Sequence, residues 1–150
     1  MNNRPIFVLD NDGEELDMIQ EIWQEMSFNH PLEVFSNTEK FLQRMSERNV
    51  NPFLIISDVN LGKIDGFTLR QKLCSDVEMS YKSIPFVFWS TTASNDQIKV
   101  AYDSGGHGFF IKGFTYQEVK KSLRIIMSYW SKSQVPELPN QRSDRQQLSR

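Results

Sequence analysis

Four short apolar runs in this chain end in residues that can do chemistry. Ile6–Leu9 leads into Asp10-Asn11-Asp12, Phe53–Ile56 into Ser57-Asp58, Pro85–Trp89 into Ser90-Thr91-Thr92, and Phe109–Ile111 into Lys112-Gly113. Together these side chains supply the parts of a phosphoryl-transfer site. A carboxylate can attack phosphorus as a nucleophile, and a lysine and a hydroxyl can hold the remaining phosphoryl oxygens. Two carboxylates about 5 Å apart repel by about 3 kcal/mol at an effective dielectric near 20, which a divalent cation would relieve. Magnesium suits such a site because it binds through a few carboxylates and keeps several waters. Each residue also has a plainer reading. Asp10 and Asp12 could cap a helix, Ser90 could end a strand, Lys112 could be solvated, and Asp58 could shape the turn DVNLGKIDG. The chemical reading depends on all of them meeting at one place.

The elements needed to bring them together are legible in the pattern. Phe53–Ile56, opened by Asn51-Pro52, is an unbroken apolar run of the kind a strand buried on both faces requires. The run ends at Asp58, on the carboxyl rim where open parallel α/β sheets bind ligands. Ile6–Leu9, Leu32–Phe35, Pro85–Trp89 and Phe109–Ile111 read as further strands. Between them lie amphipathic stretches with helix-start signals: Asp12 with Glu15, Ser36 with Glu39, Ser94 with Gln97 and Thr115 with Glu118. Leu16, Ile19, Trp23 and Met26 line the first helix, Phe41, Leu42 and Met45 the second, and Val119, Leu123, Ile126 and Trp130 the last. The spacing of Phe67, Leu69, Arg70 and Leu73 predicts a helix to about Cys74, and Ser75–Ile84 reads as a surface loop or helix extension. Five strands alternating with five helices imply a doubly wound parallel α/β sheet.

Composition excludes several classes. The chain has 150 residues, 39% of them apolar and 12% aromatic, with a formal charge of −2. That predicts one soluble domain without the electrostatic footprint of a nucleic-acid or membrane binder. A single cysteine, Cys74, cannot close an internal disulfide, and no stretch approaches a membrane span, so a cytoplasmic protein is expected. The domain is expected over residues 1–131. The remainder, residues 132–150, is rich in Gln, Ser and Arg with two prolines, and reads as a disordered polar tail. His30 and His107 read as ordinary loop residues.

Over residues 5–131 the chain resembles the receiver domains of two-component response regulators, the CheY-like family. FVLDND looks like that family's acidic cluster, LIISDVNLGKIDGF its phosphoacceptor block, FVFWSTT its switch strand and SGGHGFFIKGFT its lysine block, in the family's order. The resemblance implies a flavodoxin-like sheet of strand order 2-1-3-4-5. It implies that Asp58 is phosphorylated by a histidine kinase or histidine phosphotransfer protein. Mg2+ would be held by Asp58, Asn11 and the backbone carbonyl of Asn60, with Asp10 acting through water. Lys112 would pair with the phosphoryl oxygens, while Ser90 and Phe109 would form the switch. The signal would leave through protein contact on the face of the fourth helix, fifth strand and fifth helix. Such a domain is no enzyme in its own right; it assists only its own phosphotransfer and autodephosphorylation. A stand-alone receiver is expected, with an unknown downstream protein partner and no nucleic-acid or membrane partner.

Several positions depart from the pattern. Asn11 stands where the family has a ligating carboxylate, with Asp12 one residue away as a possible substitute. Gly113 replaces a proline that follows a cis peptide in the family, and Thr91 is bulkier than the usual neighbour of the switch hydroxyl. These departures motivate a second reading, a receiver-fold interaction module that has lost phosphorylation. A third is a haloacid-dehalogenase-type phosphatase, for which Asp10-Asn11-Asp12 would be the opening motif and Asp10 the nucleophile. Glu14 in place of that motif's Thr or Val argues against it. The acidic loop after the first strand likewise argues against a flavin-phosphate site.

Overall fold

A computed structural model describes residues 4–76 and 81–137. Its elements are β1 (Ile6–Leu9), α1 (Gly13–Met26), β2 (Leu32–Phe35), α2 (Thr38–Met45), β3 (Leu54–Asp58), α3 (Gly66–Ser75), β4 (Phe86–Ser90), α4 (Asn95–Asp103), β5 (Phe109–Ile111) and α5 (Tyr116–Lys132). The strands form one parallel sheet of order β2-β1-β3-β4-β5. This is the doubly wound arrangement expected from the alternation of runs.

Burial follows strand position. The three central strands carry the unbroken apolar runs and are covered on both faces, whereas the edge strands β2 and β5 are mostly half-buried. Alternate residues serve opposite cores. Ile6, Val8, Leu54, Ile56, Val87 and Trp89 face α1 and α5, packing on Leu16, Ile19, Trp23, Val119, Leu123, Ile126 and Trp130. Phe7, Leu9, Ile55, Phe86 and Phe88 face the other layer, against Phe41, Met45, Leu69, Leu73 and Ala101. With both faces sealed, polar side chains reach solvent at the strand ends.

The helix starts divide into those the sequence signals read correctly and those they did not. Ser94 with Gln97 and Thr115 with Glu118 close reciprocal capping boxes. The second helix starts one residue later than Ser36 implies: Asn37 is its cap, its side-chain oxygen accepting from Lys40 N at 2.8 Å. Asp12 caps α1 by accepting from Glu14 N and Glu15 N, but Glu15 does not complete a box there. Within the stretch expected as a loop, Tyr81–Ser83 forms a single 3-10 turn, and residues 77–80 lie outside the described residues. At the other end of the chain α5 reaches Lys132. Val135 then packs on the first core, and Pro136 O accepts from Arg4 Nη1 at 3.0 Å. Residues 138–150, most of the expected tail, lie outside the described residues.

Three polar residues in this fold act as pins. Arg70 is buried on α3, with its guanidinium 5.1 Å from the Phe86 ring centre. It donates to the carbonyls of Gly105 and Lys82, both at 3.0 Å, and of Tyr81 at 3.3 Å. His30 is buried rather than an ordinary loop residue: its ring stacks on Phe53 at 4.3 Å and Nδ1 lies 2.8 Å from Arg4 O. His107 sits in an exposed loop, yet its Nδ1 accepts from Phe86 N at 3.0 Å.

Candidate functional site

The carboxyl rim of the sheet gathers the acids. Asp10 follows β1 and is 2% exposed. Its Oδ1 accepts the Asp12 N–H at 2.9 Å, and its Oδ2 accepts from Lys112 Nζ at 2.8 Å. Asp58 closes β3: its Oδ1 accepts from Asn60 N at 2.8 Å, and its Oδ2 accepts from the same Lys112 ammonium. Lys112 thus bridges two acids that lie 102 and 54 positions away in sequence. Of the two, Asp58 is the one a reactant can reach, with a side chain 15% exposed against 3% for Asp10. That difference removes the support for Asp10 as the nucleophile of a phosphatase.

The loop after β3 holds Asp58 in place through close backbone approach. Gly66 N donates to Val59 O at 2.8 Å, and Asn60 pairs with Asp65 in an isolated bridge. A Cβ on Gly66 would lie 2.7 Å from Asp58 O, so only glycine lets α3 start directly behind the acid. The Asn60 side chain accepts from Gly62 N at 3.2 Å, which braces the loop.

Lys112 is placed by the end of β5. Its N–H donates to Ser90 O at 2.8 Å, which ties the β4 and β5 ends together, and Ser122 Oγ of α5 donates to the preceding carbonyl, Ile111 O, at 2.8 Å. Among the described residues no peptide bond is cis, so Lys112–Gly113 is trans. Gly113 has φ +87°, and a Cβ there would lie 2.4 Å from Cβ of Glu118. The chain turns at Gly113 into the first turn of α5 and still delivers Lys112 to the acids. Ser90 lies one residue beyond Trp89, the register partner of Asp58, and Phe109 is half-buried against the second core.

Two neighbours of Lys112 were not singled out by the sequence patterns. Glu15 Oε1 lies 3.5 Å from its Nζ, and the buried ring of Trp89 lies 5.3 Å from it. Glu15 has the spacing of a capping partner, and Trp89 ends an apolar run, so neither pattern marks a site.

The electrostatics follow from burial. Desolvation is the largest influence on Asp10. It outweighs the Lys112 bond and raises the pKa from the ordinary carboxylate value to about 6, with the Asp58 charge adding to the rise. Burial also works against the Lys112 ammonium, but the bonds and charges of Asp10 and Asp58 prevail and hold its pKa above the ordinary lysine value. A raised folded-state pKa gives Asp10 a stabilising contribution that is present below pH 3.8 and lost as pH rises through about 6. Without divalent cations, we expect the urea-unfolding free energy to rise by on the order of 1 kcal/mol between pH 7 and 5 relative to Asp10→Asn. Parallel pH profiles for the two proteins would remove Asp10 as the cause.

The residues present suit a hard divalent cation. Asp10, Asp58 and Glu15 carry more negative charge than Lys112 cancels. Asn11 leans over the same loop, with its amide nitrogen 3.8 Å from where a Cβ on Gly62 would sit. Among the described residues, no three His, Cys, Asp or Glu side chains are grouped so as to enclose a metal. A cation here would rest on oxygen donors, the kind of ligand magnesium takes, with Asp10 and Asp58 supplying the charge. Asp12 is exposed and caps α1, its Oδ1 accepting from Glu14 N and Glu15 N.

A five-stranded parallel sheet of this order, with paired acids, a lysine and a strand-end hydroxyl at its carboxyl rim, defines a CheY-like class of protein. Residues 6–124 match the model of the response regulator receiver domain. The chain belongs to that family, the receivers of two-component systems. It is 22% identical over 122 residues to the chemotaxis protein CheY1 of Helicobacter pylori, covering 81% of this chain and 95% of that protein. A match to the probable methanogenesis regulatory protein FilR2 of Methanothrix harundinacea, 25% identical over 79 residues, covers 53% of this chain and spans only half of that relative. Among solved structures, the phosphorylated cyanobacterial phytochrome response regulator RcpA superposes with a TM-score of 0.77 at 22% identity, covering 90% of this chain and 99% of that one. The Mn(2+)-bound form of response regulator Rcp1 gives 0.73 at 22% identity, covering 89% and 99%. Among the described residues no helix is long and apolar enough to cross a membrane.

Proposed function

We propose that this receiver accepts a phosphoryl group on Asp58 in a Mg2+-dependent reaction and signals through protein contact. The donor would be the phosphohistidine of a histidine kinase or of a histidine phosphotransfer protein. The observation that carries this reading is the Lys112 ammonium joining Asp10 and Asp58 at the sheet rim. An Asp58 carboxylate oxygen forms the new P–O bond as the P–N bond to the donor imidazole breaks, and the imidazole, already protonated on its other ring nitrogen, leaves neutral. When bound, the cation neutralises charge on the phosphoryl oxygens. Lys112 already touches Asp58 and turns to those oxygens, while Asn60 N and the loop behind it hold the acid still. Ser90 then moves inward to hydrogen-bond a phosphoryl oxygen, and Phe109 reorients with it. The proposed output face of α4, β5 and α5 exposes Tyr102, Ile111 and Tyr129. Phosphoryl uptake from acetyl phosphate, with and without Mg2+, tests the reading. A folded chain that takes up none would favour the phosphorylation-independent interaction module that Asn11 and Gly113 motivate.

Asn11 sets the strength of the metal site on this reading. An amide oxygen can ligate magnesium but brings no charge. Asn11→Asp is expected to tighten Mg2+ binding by about tenfold, the effect of one added charge at close range. Calorimetric titration measures it, and an unchanged Kd would mean Asn11 is not a ligand.

A further inference from the structure

Resting on the receiver reading, we propose that Glu15 is a positioning residue of the phosphoacceptor site, supplying from the first turn of α1 the negative charge that Asn11 lacks. A glutamate three residues after the cap ordinarily turns back to accept the cap's own N–H. The boxes that open α4 and α5 close in this way. In α1 the corresponding N–H, that of Asp12, already donates to Asp10 Oδ1 at 2.9 Å. The Glu15 side chain is thereby released from the cap and turns to the rim, where Oε1 lies 3.5 Å from Lys112 Nζ. Asp10 therefore does two things at once: it holds Lys112 and it redirects Glu15 toward the same ammonium.

The charge count gives this contact its consequence. Lys112 meets the carboxylates of Asp10, Asp58 and Glu15. Three negative charges against one positive leave an excess of two, which one divalent cation neutralises. Without Glu15, and with an amide at position 11, the excess would be one. Glu15 is 20% exposed at its side chain and meets the site through Lys112. It acts through the field and through the placement of Lys112, not as a direct ligand.

The test is a magnesium titration of the full chain at fixed pH, followed by calorimetry and by tryptophan emission, since Trp89 lies under Lys112. Glu15→Gln is expected to weaken Mg2+ binding about tenfold. The double variant Asn11→Asp with Glu15→Gln is expected to return within about threefold of the wild type, because the lost charge is restored at position 11. Glu15→Asp, which keeps the charge on a shorter stem, is expected to retain most of the affinity. A Glu15→Gln protein that binds as the wild type does would overturn the proposal. So would a loss that Asn11→Asp fails to restore, or equal losses in Glu15→Gln and Glu15→Asp. A wild-type chain that neither binds magnesium nor takes up phosphoryl would instead overturn the receiver reading, and this proposal with it.

Discussion

Asp58→Asn is expected to abolish phosphoryl uptake, by at least about a hundredfold and to the assay background, while leaving the fold in place. An amide has no carboxylate oxygen to form the acyl phosphate, so the nucleophile itself is removed. The structural cost is small because asparagine has the same shape. Its side-chain oxygen can still accept from Asn60 N, the bond that now orients Asp58 at 2.8 Å. What it gives up is one of the acids around Lys112, and Asp10 remains in contact with that ammonium at 2.8 Å. Far-ultraviolet circular dichroism should therefore be unchanged. A labelled Asp58→Asn protein would move the phosphoacceptor elsewhere.

Lys112→Ala is expected to produce the second large effect, with a size that depends on the metal. The ammonium is the cation buried between Asp10 and Asp58, and the Lys112 and Asp10 side chains are each 3% exposed. Removing one partner of a buried pair leaves the other uncompensated and costs about 3–5 kcal/mol. In chelator, the urea-unfolding free energy should fall by about 3 kcal/mol. In millimolar Mg2+ much of that loss should be recovered, because a ligand that binds only the folded state stabilises it. The variant should still bind the metal yet fail to show the phosphoryl-dependent change at Ser90 and Phe109. Equal destabilisation with and without Mg2+ would mean that Lys112 and the cation do not share one charged site.

The sequence patterns anticipated where these residues lie because each is a strand ending. An apolar run must stop where polarity begins, and in a doubly wound sheet every such stop lies on the same rim. Asp10, Asp58, Ser90 and Lys112 were legible for that reason. The three central strands were legible from their burial, which forces near-continuous apolar runs in β1, β3 and β4.

Residues whose partners are backbone groups far away in sequence were not legible. Arg70 has helical spacing, and nothing local reveals that it will be buried against the carbonyls of Tyr81, Lys82 and Gly105. His30 depends on Arg4 O and on the ring of Phe53. Glu15 has the spacing of a capping residue, and its turn to Lys112 follows from a bond made by Asp10, which no pattern in α1 contains. Asn37 displaced Ser36 as a cap because both residue types can cap, and only the backbone path decides which of two neighbours faces the free N–H groups.

The most direct test is to map the modified residue after exposure to a phosphoryl donor with and without Mg2+. Borohydride reduction of the acyl phosphate followed by peptide mass spectrometry would identify it. Label confined to Asp58, dependent on the metal and absent from Asp58→Asn, is the predicted result. Label on Asp10, or metal-independent label at any other residue, would contradict it.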